Sequence, residues 1–179
     1  MHSYLPSNFT GSKSAAARVF PNYAHLIGVS SLVMECGGDE DEAIAGLLHD
    51  AAEDQGGLET LAKIALRFGP AVSAIVEGCT DSVESPKPPW RARKEKYLRH
   101  LKEAPPSVQF VSACDKLFNA RAIVRDYREA GEALWARFSG GREGVLWYYG
   151  ALAETFTISR SVVDELRRVV QELDRLVAR

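Results

Sequence analysis

The chain has 179 residues, of which 46% are apolar and 26% charged, the proportions of an ordinary globular protein of about one domain. A formal net charge of −2 excludes the pervasive basic surface of a nucleic-acid binder. It leaves room for a local basic patch that serves a polyanionic small molecule. Cys36, Cys79 and Cys114 are far apart and form no CxxC pair, which excludes a disulfide framework and predicts free thiols in a reducing compartment.

No apolar run approaches the roughly 18 residues needed to span a bilayer. The opening stretch MHSYLPSNFTGSKS lacks the apolar core of a signal peptide. The expected location is the cytoplasm, with no membrane or nucleic-acid partner; homo-oligomerisation is left open.

The apolar periodicity is helical almost throughout. Residues 1 to about 13 are polar and read as loose. A first helix is predicted from Pro21 or Asn22 to Cys36, with Asn22 as its cap and Gly37-Gly38 as its stop. Asp39 or Glu40 opens a second helix that ends near Asp54. Leu58 to Phe68 form a third, closed by Gly69, and Pro70 starts a fourth that ends near Cys79. The stretch DSVESPKPPW, residues 81 to 90, is a loop, and RARKEKYLRHLKEA is a strongly charged helix. After Pro105-Pro106, Ser107 is predicted to cap a long helix through Ala130. Gly140-Gly141 precedes the helix REGVLWYYGALAETF. A final amphipathic helix, 161 to 178, places Val162, Val163, Leu166, Val169, Val170, Leu173 and Leu176 on one face. The fold class is all-α, a compact bundle of about eight helices.

The stretch GLLHDAAED, residues 46 to 54, sets charge into an apolar helix. His49 and Asp50 are adjacent, about 100° apart on the helical wheel, so both can lean toward one point. Glu53 follows His49 by one turn, and Asp54 follows Asp50 by one turn. Unpaired carboxylates are costly in such a place. A divalent metal would neutralise His49 and Asp50 and leave Glu53 and Asp54 for chemistry. The plainer alternative is that Glu53 and Asp54 face water at a helix end.

Asp115 falls on an apolar face with Val108, Val111, Phe118 and Ala122, so it needs a cation; Arg121 and Arg125 are the candidates if that cation is not a metal. Asn119 lies one turn further on. His25 shares an apolar face with Val29 and Leu32, where a histidine is commonly a core residue. Together His25, His49, Asp50 and Asp115 give two histidines and two aspartates from three helices. That mixed set suits manganese, iron or zinc in a catalytic rather than a structural site. The basic run Lys87, Arg91, Arg93, Lys94, Lys96 and Arg99 is either a solvated face or a phosphate-binding edge beside a loop. Lys116 is another phosphate partner. Trp90, Trp147 and Tyr148-Tyr149 read as core or interface.

These residues resemble the HD-domain phosphohydrolases, and more narrowly the hydrolase domain of RelA/SpoT proteins and the free-standing small alarmone hydrolases. The likeness is carried by YAHLIGV, AIAGLLHDAAEDQGG, RFGPAVSAIVEGCTD and SACDKLFNAR, collinear over residues 23 to about 125. It implies one HD-type domain over 1–179, one manganese ion, and removal of the 3′-pyrophosphate from ppGpp-type nucleotides. It implies His25, His49, Asp50 and Asp115 as ligands, Glu53 and Asp54 as the residues that orient and deprotonate water, and Asn119 at the sugar. Lys116 with one or more of Arg91, Lys94 and Lys96 would then offset the charge of the leaving pyrophosphate. Two differences stand out. Where the family carries an Arg-Lys pair before its first histidine, this chain reads SKSAAARVFPNYAH, with only Lys13 and Arg18 basic. Phe118 stands where the family usually has a histidine, which bears on packing beside the metal. The alternatives are an HD phosphohydrolase of another nucleotide, such as an adenine alarmone or a nucleoside phosphate, and a silent metal- or nucleotide-binding module.

Overall fold

The computed structural model describes residues 19–82, 86 and 88–178, and for residues 19–22 and Asp54 the backbone only. The opening segment read as loose, with Lys13 and Arg18, lies outside the described residues, as does Lys87. The described residues form nine α-helices: α1 (Val19–Glu35), α2 (Glu40–Leu48), α3 (Ala51–Gln55), α4 (Leu58–Phe68), α5 (Pro70–Cys79), α6 (Trp90–Glu103), α7 (Pro106–Ala130), α8 (Gly141–Thr155) and α9 (Ser161–Val177). A 3-10 helix, Gly131–Arg137, joins α7 to α8 and was not foreseen in the sequence. The all-α expectation holds. None of the described helices is long and apolar enough to cross a membrane.

Three boundaries differ from expectation. Helix α1 already includes Val19, so Asn22 is an interior residue and not a cap. Pro21 is tolerated because the first-turn N–H groups have no helical acceptor in any case. The long helix starts at Pro106 with Pro105 at the cap position, so Ser107 does not cap it; the fixed φ of proline suits a first helical position. The predicted second helix is divided at His49-Asp50 into α2 and α3. Its start is as expected: Asp39 Oδ1 accepts from the Glu42 N–H at 2.9 Å, and Glu42 Oε2 accepts from the Asp39 N–H at 3.1 Å. This reciprocal pair satisfies two donors at the helix start.

Helix α7 is the axle of the molecule. It packs against α1, α2, α5, α6 and α9. Phe110, Val111, Leu117 and Ile123 are at most 1% exposed, and burying each such side chain contributes about 1.5–3 kcal/mol. Of the predicted stripe of α9, Val162, Val163, Leu166, Val169, Val170 and Leu173 are in the core, and Leu176 near the end of the helix is only partly buried. Two glycines let helices close on α7. A methyl group at Gly28 of α1 would stand 2.2 Å from the Phe118 ring, and one at Gly78 of α5 would stand 2.6 Å from Val108. Close approach at these points brings α1 to the middle of α7, near Asp115, and the end of α5 to its first turn.

Candidate functional site

His25 on α1, His49 and Asp50 at the α2–α3 junction, and Asp115 on α7 converge. His25 Nε2 lies 3.1 Å from His49 Nε2. Asp115 Oδ1 lies 3.3 Å from His25 Nε2 and 3.5 Å from His49 Nε2. The Asp50 carboxylate approaches His49 Nε2 to 3.4 Å and His25 Nε2 to 3.8 Å. His25, His49 and Asp115 are all buried, and one donor atom from each lies within 4.8 Å of the others. The two residues sit at an interruption of the helix: Leu48 ends α2, and Asp50 then takes φ −90° and ψ −5° before α3 begins.

The hydrogen bonds fix how the donors point. The Gly46 carbonyl, 2.7 Å from His49 Nδ1, can only accept, so Nδ1 carries the proton and the lone pair of neutral His49 sits on Nε2. Asn119 Nδ2 donates to Asp115 Oδ1 at 2.7 Å, and Lys116 Nζ donates to Asp115 Oδ2. His25 Nδ1 and Asn119 Oδ1 are buried without a hydrogen-bond partner among the described residues. Neither Arg121 nor Arg125 pairs with Asp115: Arg121 meets Glu165, and Arg125 meets Asp126.

Electrostatics follow this layout. Burial works against a charged His49, but the Asp50 and Asp115 carboxylates and the Gly46 carbonyl outweigh it and raise its pKa to about 9 in the absence of metal. Burial works against a charged Asp115, yet Lys116 and the two histidines hold it well below the usual carboxylate range. Burial would lower Lys116, and Asp115 reverses that. A proton on His49 and the Lys116 ammonium thus offset the buried charge of Asp115.

Such a donor set fits a cation. Ligand atoms about 2 Å from a common ion stand roughly 3 Å apart; His25, His49 and Asp115 present atoms 3.1–3.5 Å apart, the Asp50 carboxylate lies 3.4 and 3.8 Å from the two imidazoles, and no sulfur is among them. Phe118 packs edge-on against His25, with ring centres 5.3 Å apart, so its effect falls on that imidazole's packing, as expected.

A narrow cavity opens beside the cluster, lined by Asp50, Glu53, Asp115, Lys116 and Asn119, and across from them by Cys79, Asp81, Lys94, Tyr148 and Tyr149. Glu53 on α3 accepts the backbone N–H of Asp81 at 2.7 Å. The side chain of Asp54 lies outside the description. Of the basic residues singled out, Lys94 and Lys116 reach this cavity. Lys96 lines a neighbouring cavity of about 270 Å³ with Tyr97 and His100. Arg91 is brought to neither; it pairs with Glu95 at 2.7 Å and stacks on Trp147.

Sequence reading missed Asp81 and named Arg93 only as one member of the basic run. The Asp81 carboxylate accepts from Arg93 Nη1 and, at 2.7 Å, from Lys94 Nζ. Burial pulls the Lys94 pKa below its ordinary value, against the pull of Asp81. The signal was available. Trp90, Arg93, Lys94, Tyr97 and Leu101 recur at helical spacing, and Tyr97 and Leu101 are buried, so the two cations had to share the inward face. Tyr148 and Tyr149, read as core, are about 1% exposed; they also line the cavity, with both hydroxyls buried and unpartnered among the described residues.

The chain resembles known proteins over much of its length. It is 36% identical over 107 residues to guanosine-3′,5′-bis(diphosphate) 3′-pyrophosphohydrolase MESH1 of Xenopus tropicalis, a match covering 59% of this chain and 57% of that protein. The chain thus spans a little over half the length of that curated relative. Its fold matches lmo0812 of Listeria monocytogenes EGD-e with a TM-score of 0.75 at 24% identity, over 84% of this chain and 99% of the other. It also matches a structure described as a metazoan ortholog of SpoT that hydrolyzes ppGpp, with a TM-score of 0.69 at 21% identity, over 90% and 85% of the two chains. The family model of the HD domain matches residues 13–146, and on that match the chain belongs to the HD domain family.

Proposed function

We propose that this protein is a metal-dependent phosphohydrolase that removes the 3′-pyrophosphate from ppGpp-like nucleotides in the cytoplasm. The observation that carries this reading is the convergence of His25, His49, Asp50 and Asp115 on one buried point beside a cavity that holds both a carboxylate and lysines. The likeness to the frog pyrophosphohydrolase supports the substrate class. Manganese is the ion we favour, because mixed imidazole and carboxylate donors suit it.

When bound, the cation supplies Lewis acidity toward water and toward a phosphoryl oxygen. His49 meets it with a lone pair because the Gly46 carbonyl holds its other nitrogen protonated. Glu53, tied by the Asp81 N–H, takes the proton of the attacking water, and Asp54 beside it aligns that water. Lys116 and Lys94 offset the negative charge that builds on the leaving pyrophosphate. Asn119, anchored through Asp115, presents its unpartnered oxygen to the sugar. Lys96 serves the outer cavity, and Arg91 stays outside the reaction.

The test is to incubate the manganese-loaded protein with ppGpp, pppGpp, their adenine counterparts and GDP, and to follow pyrophosphate and orthophosphate. Pyrophosphate released from a guanine 3′-substituted nucleotide is expected. Orthophosphate from GDP, or release from the adenine compounds alone, would move the reading to another nucleotide, and silence on all of them would leave a binding module.

A further inference from the structure

Glu53, the base of the reaction above, stands on a short support. Helix α3 has five residues, and Asp50 at its cap position makes no side-chain bond to the helix start. Helices shorter than about 12 residues are marginal in water without tertiary support. The placement of the Glu53 carboxylate therefore depends on what surrounds α3. One neighbour is the backbone N–H of Asp81, which donates to Glu53 Oε1 at 2.7 Å. Such a bond to a carboxylate is charge-assisted.

The donor comes from the residue just past the cap of α5. Thr80 turns extended there, with φ −74° and ψ 122°. Its N–H still bonds the Glu77 carbonyl at 3.1 Å, and its hydroxyl donates to the Val76 carbonyl at 2.8 Å. The Asp81 N–H has left the helix and finds its acceptor in Glu53. Residue 81 is held in turn by its own side chain. The carboxylate accepts from Arg93 Nη1 and, at 2.7 Å, from Lys94 Nζ, both on α6. The Asp81, Arg93 and Lys94 side chains are only 7%, 9% and 6% exposed. Lys94 also faces the Tyr148 ring, 5.0 Å from its centre, so α8 backs the same contact. Asp81 thus joins α6, through its side chain, to α3, through its backbone.

We propose that Asp81 is a positioning residue for the water-activating step: its carboxylate, clamped by Arg93 and Lys94, aims its backbone N–H at Glu53 and so fixes where that base stands. The part of Glu53 as base comes from the phosphohydrolase reading, on which this assignment rests. What is added is a share in the rate for Asp81 and Arg93, neither of which touches the reacting atoms. A reacting group misplaced by about 1 Å can cost about 10²-fold in rate, so a loosened clamp is felt at the chemistry.

A cycle of two substitutions tests this. Asp81→Asn keeps the backbone N–H and the side-chain shape and weakens the clamp. With the nucleotide that the wild type hydrolyses, kcat should fall about tenfold. In a Glu53→Gln background the same substitution should change kcat by less than about threefold, because the group it acts through is no longer a base. An undiminished tenfold loss in that background would mean that Asp81 acts through Lys94 or through stability alone, and it overturns the proposal; so does a wild-type kcat in the single variant. Amide hydrogen exchange gives a measure that needs no turnover. The residue-81 N–H, scaled to the intrinsic rate of each sequence, should exchange at least about tenfold faster in Asp81→Asn while the amides of α7 keep their protection. Equal protection at residue 81, or a loss shared by α7, overturns the proposal. If Asp81→Asn does not fold, Arg93→Gln takes its place in both measurements with the same expectations. Failure of ppGpp hydrolysis by the wild type would strike the function above and leave the exchange measurement standing.

Discussion

The cavity has two walls that carry charge in opposite senses. On the side of α1, α2 and α7, each of two imidazoles lies within 3.8 Å of both the Asp50 and the Asp115 carboxylate, and Lys116 pairs with Asp115. On the side of α6 and the turn after α5, two cations share one oxygen of Asp81. The first wall is the one that the cation proposed above would complete, whereas on the second the protein itself pairs its cations with a carboxylate. The contrast also separates residues that the charge run of α6 left equivalent. Lys94 belongs to the second wall, while Arg91 is spent on Glu95 and Trp147.

The sharpest way to break the contrast is to remove a ligand from the first wall. Asp115→Ala strips the site of an anion and of the acceptor for Lys116 and Asn119. Metal affinity, measured by competition with a chelating dye, should drop by more than the roughly 10–100-fold seen for outer partners of metal ligands, and hydrolysis should vanish with it. Glu53→Gln should retain the metal and slow the reaction by about 10²–10⁴-fold in kcat, the usual worth of a general base. Loss of metal in that variant would contradict the division between ligands and base.

A third change probes how the first wall is set. Gly28→Ala would gain about 1 kcal/mol of helix propensity but drive a methyl group into the Phe118 ring. Thermal unfolding should show a net loss of about 1–3 kcal/mol from overpacking, and the double variant with Phe118→Leu should recover most of it. At the small end, Arg91→Ala should change kcat and KM by less than about twofold, since exposed i,i+4 pairs are worth only about 0.3–0.5 kcal/mol. A tenfold rise in KM would bring Arg91 back to the second wall.

The first wall was legible in the sequence because its chemistry conflicts with its surroundings. His25, His49 and Asp115 sit among residues that must be buried, and buried charge demands an explanation. The helix order, the stripe of α9 and the capping pair at Asp39 were legible for the same local reasons. The second wall was not, because Arg93 and Lys94 stand in a run of charge where every neighbour looks alike, and Asp81 lies beyond the end of a helix. Only the inward spacing with Tyr97 and Leu101 separates them. The division of α2 from α3 was not legible either: the residues at the joint, Leu48 to Ala51, include no glycine or proline to announce a break.

That break has a consequence for anyone wishing to make the protein sturdier. Gly46 lies in the last turn of α2, where carbonyls have no further turn to accept from, and its oxygen is therefore available to the imidazole of His49. Splicing the two short helices into one continuous rod would reclaim that oxygen for the backbone. The ring would lose its tether and could rotate, hydrogen first, toward the ion. Thermal robustness gained at this joint would come at the expense of the tautomer on which ligation depends.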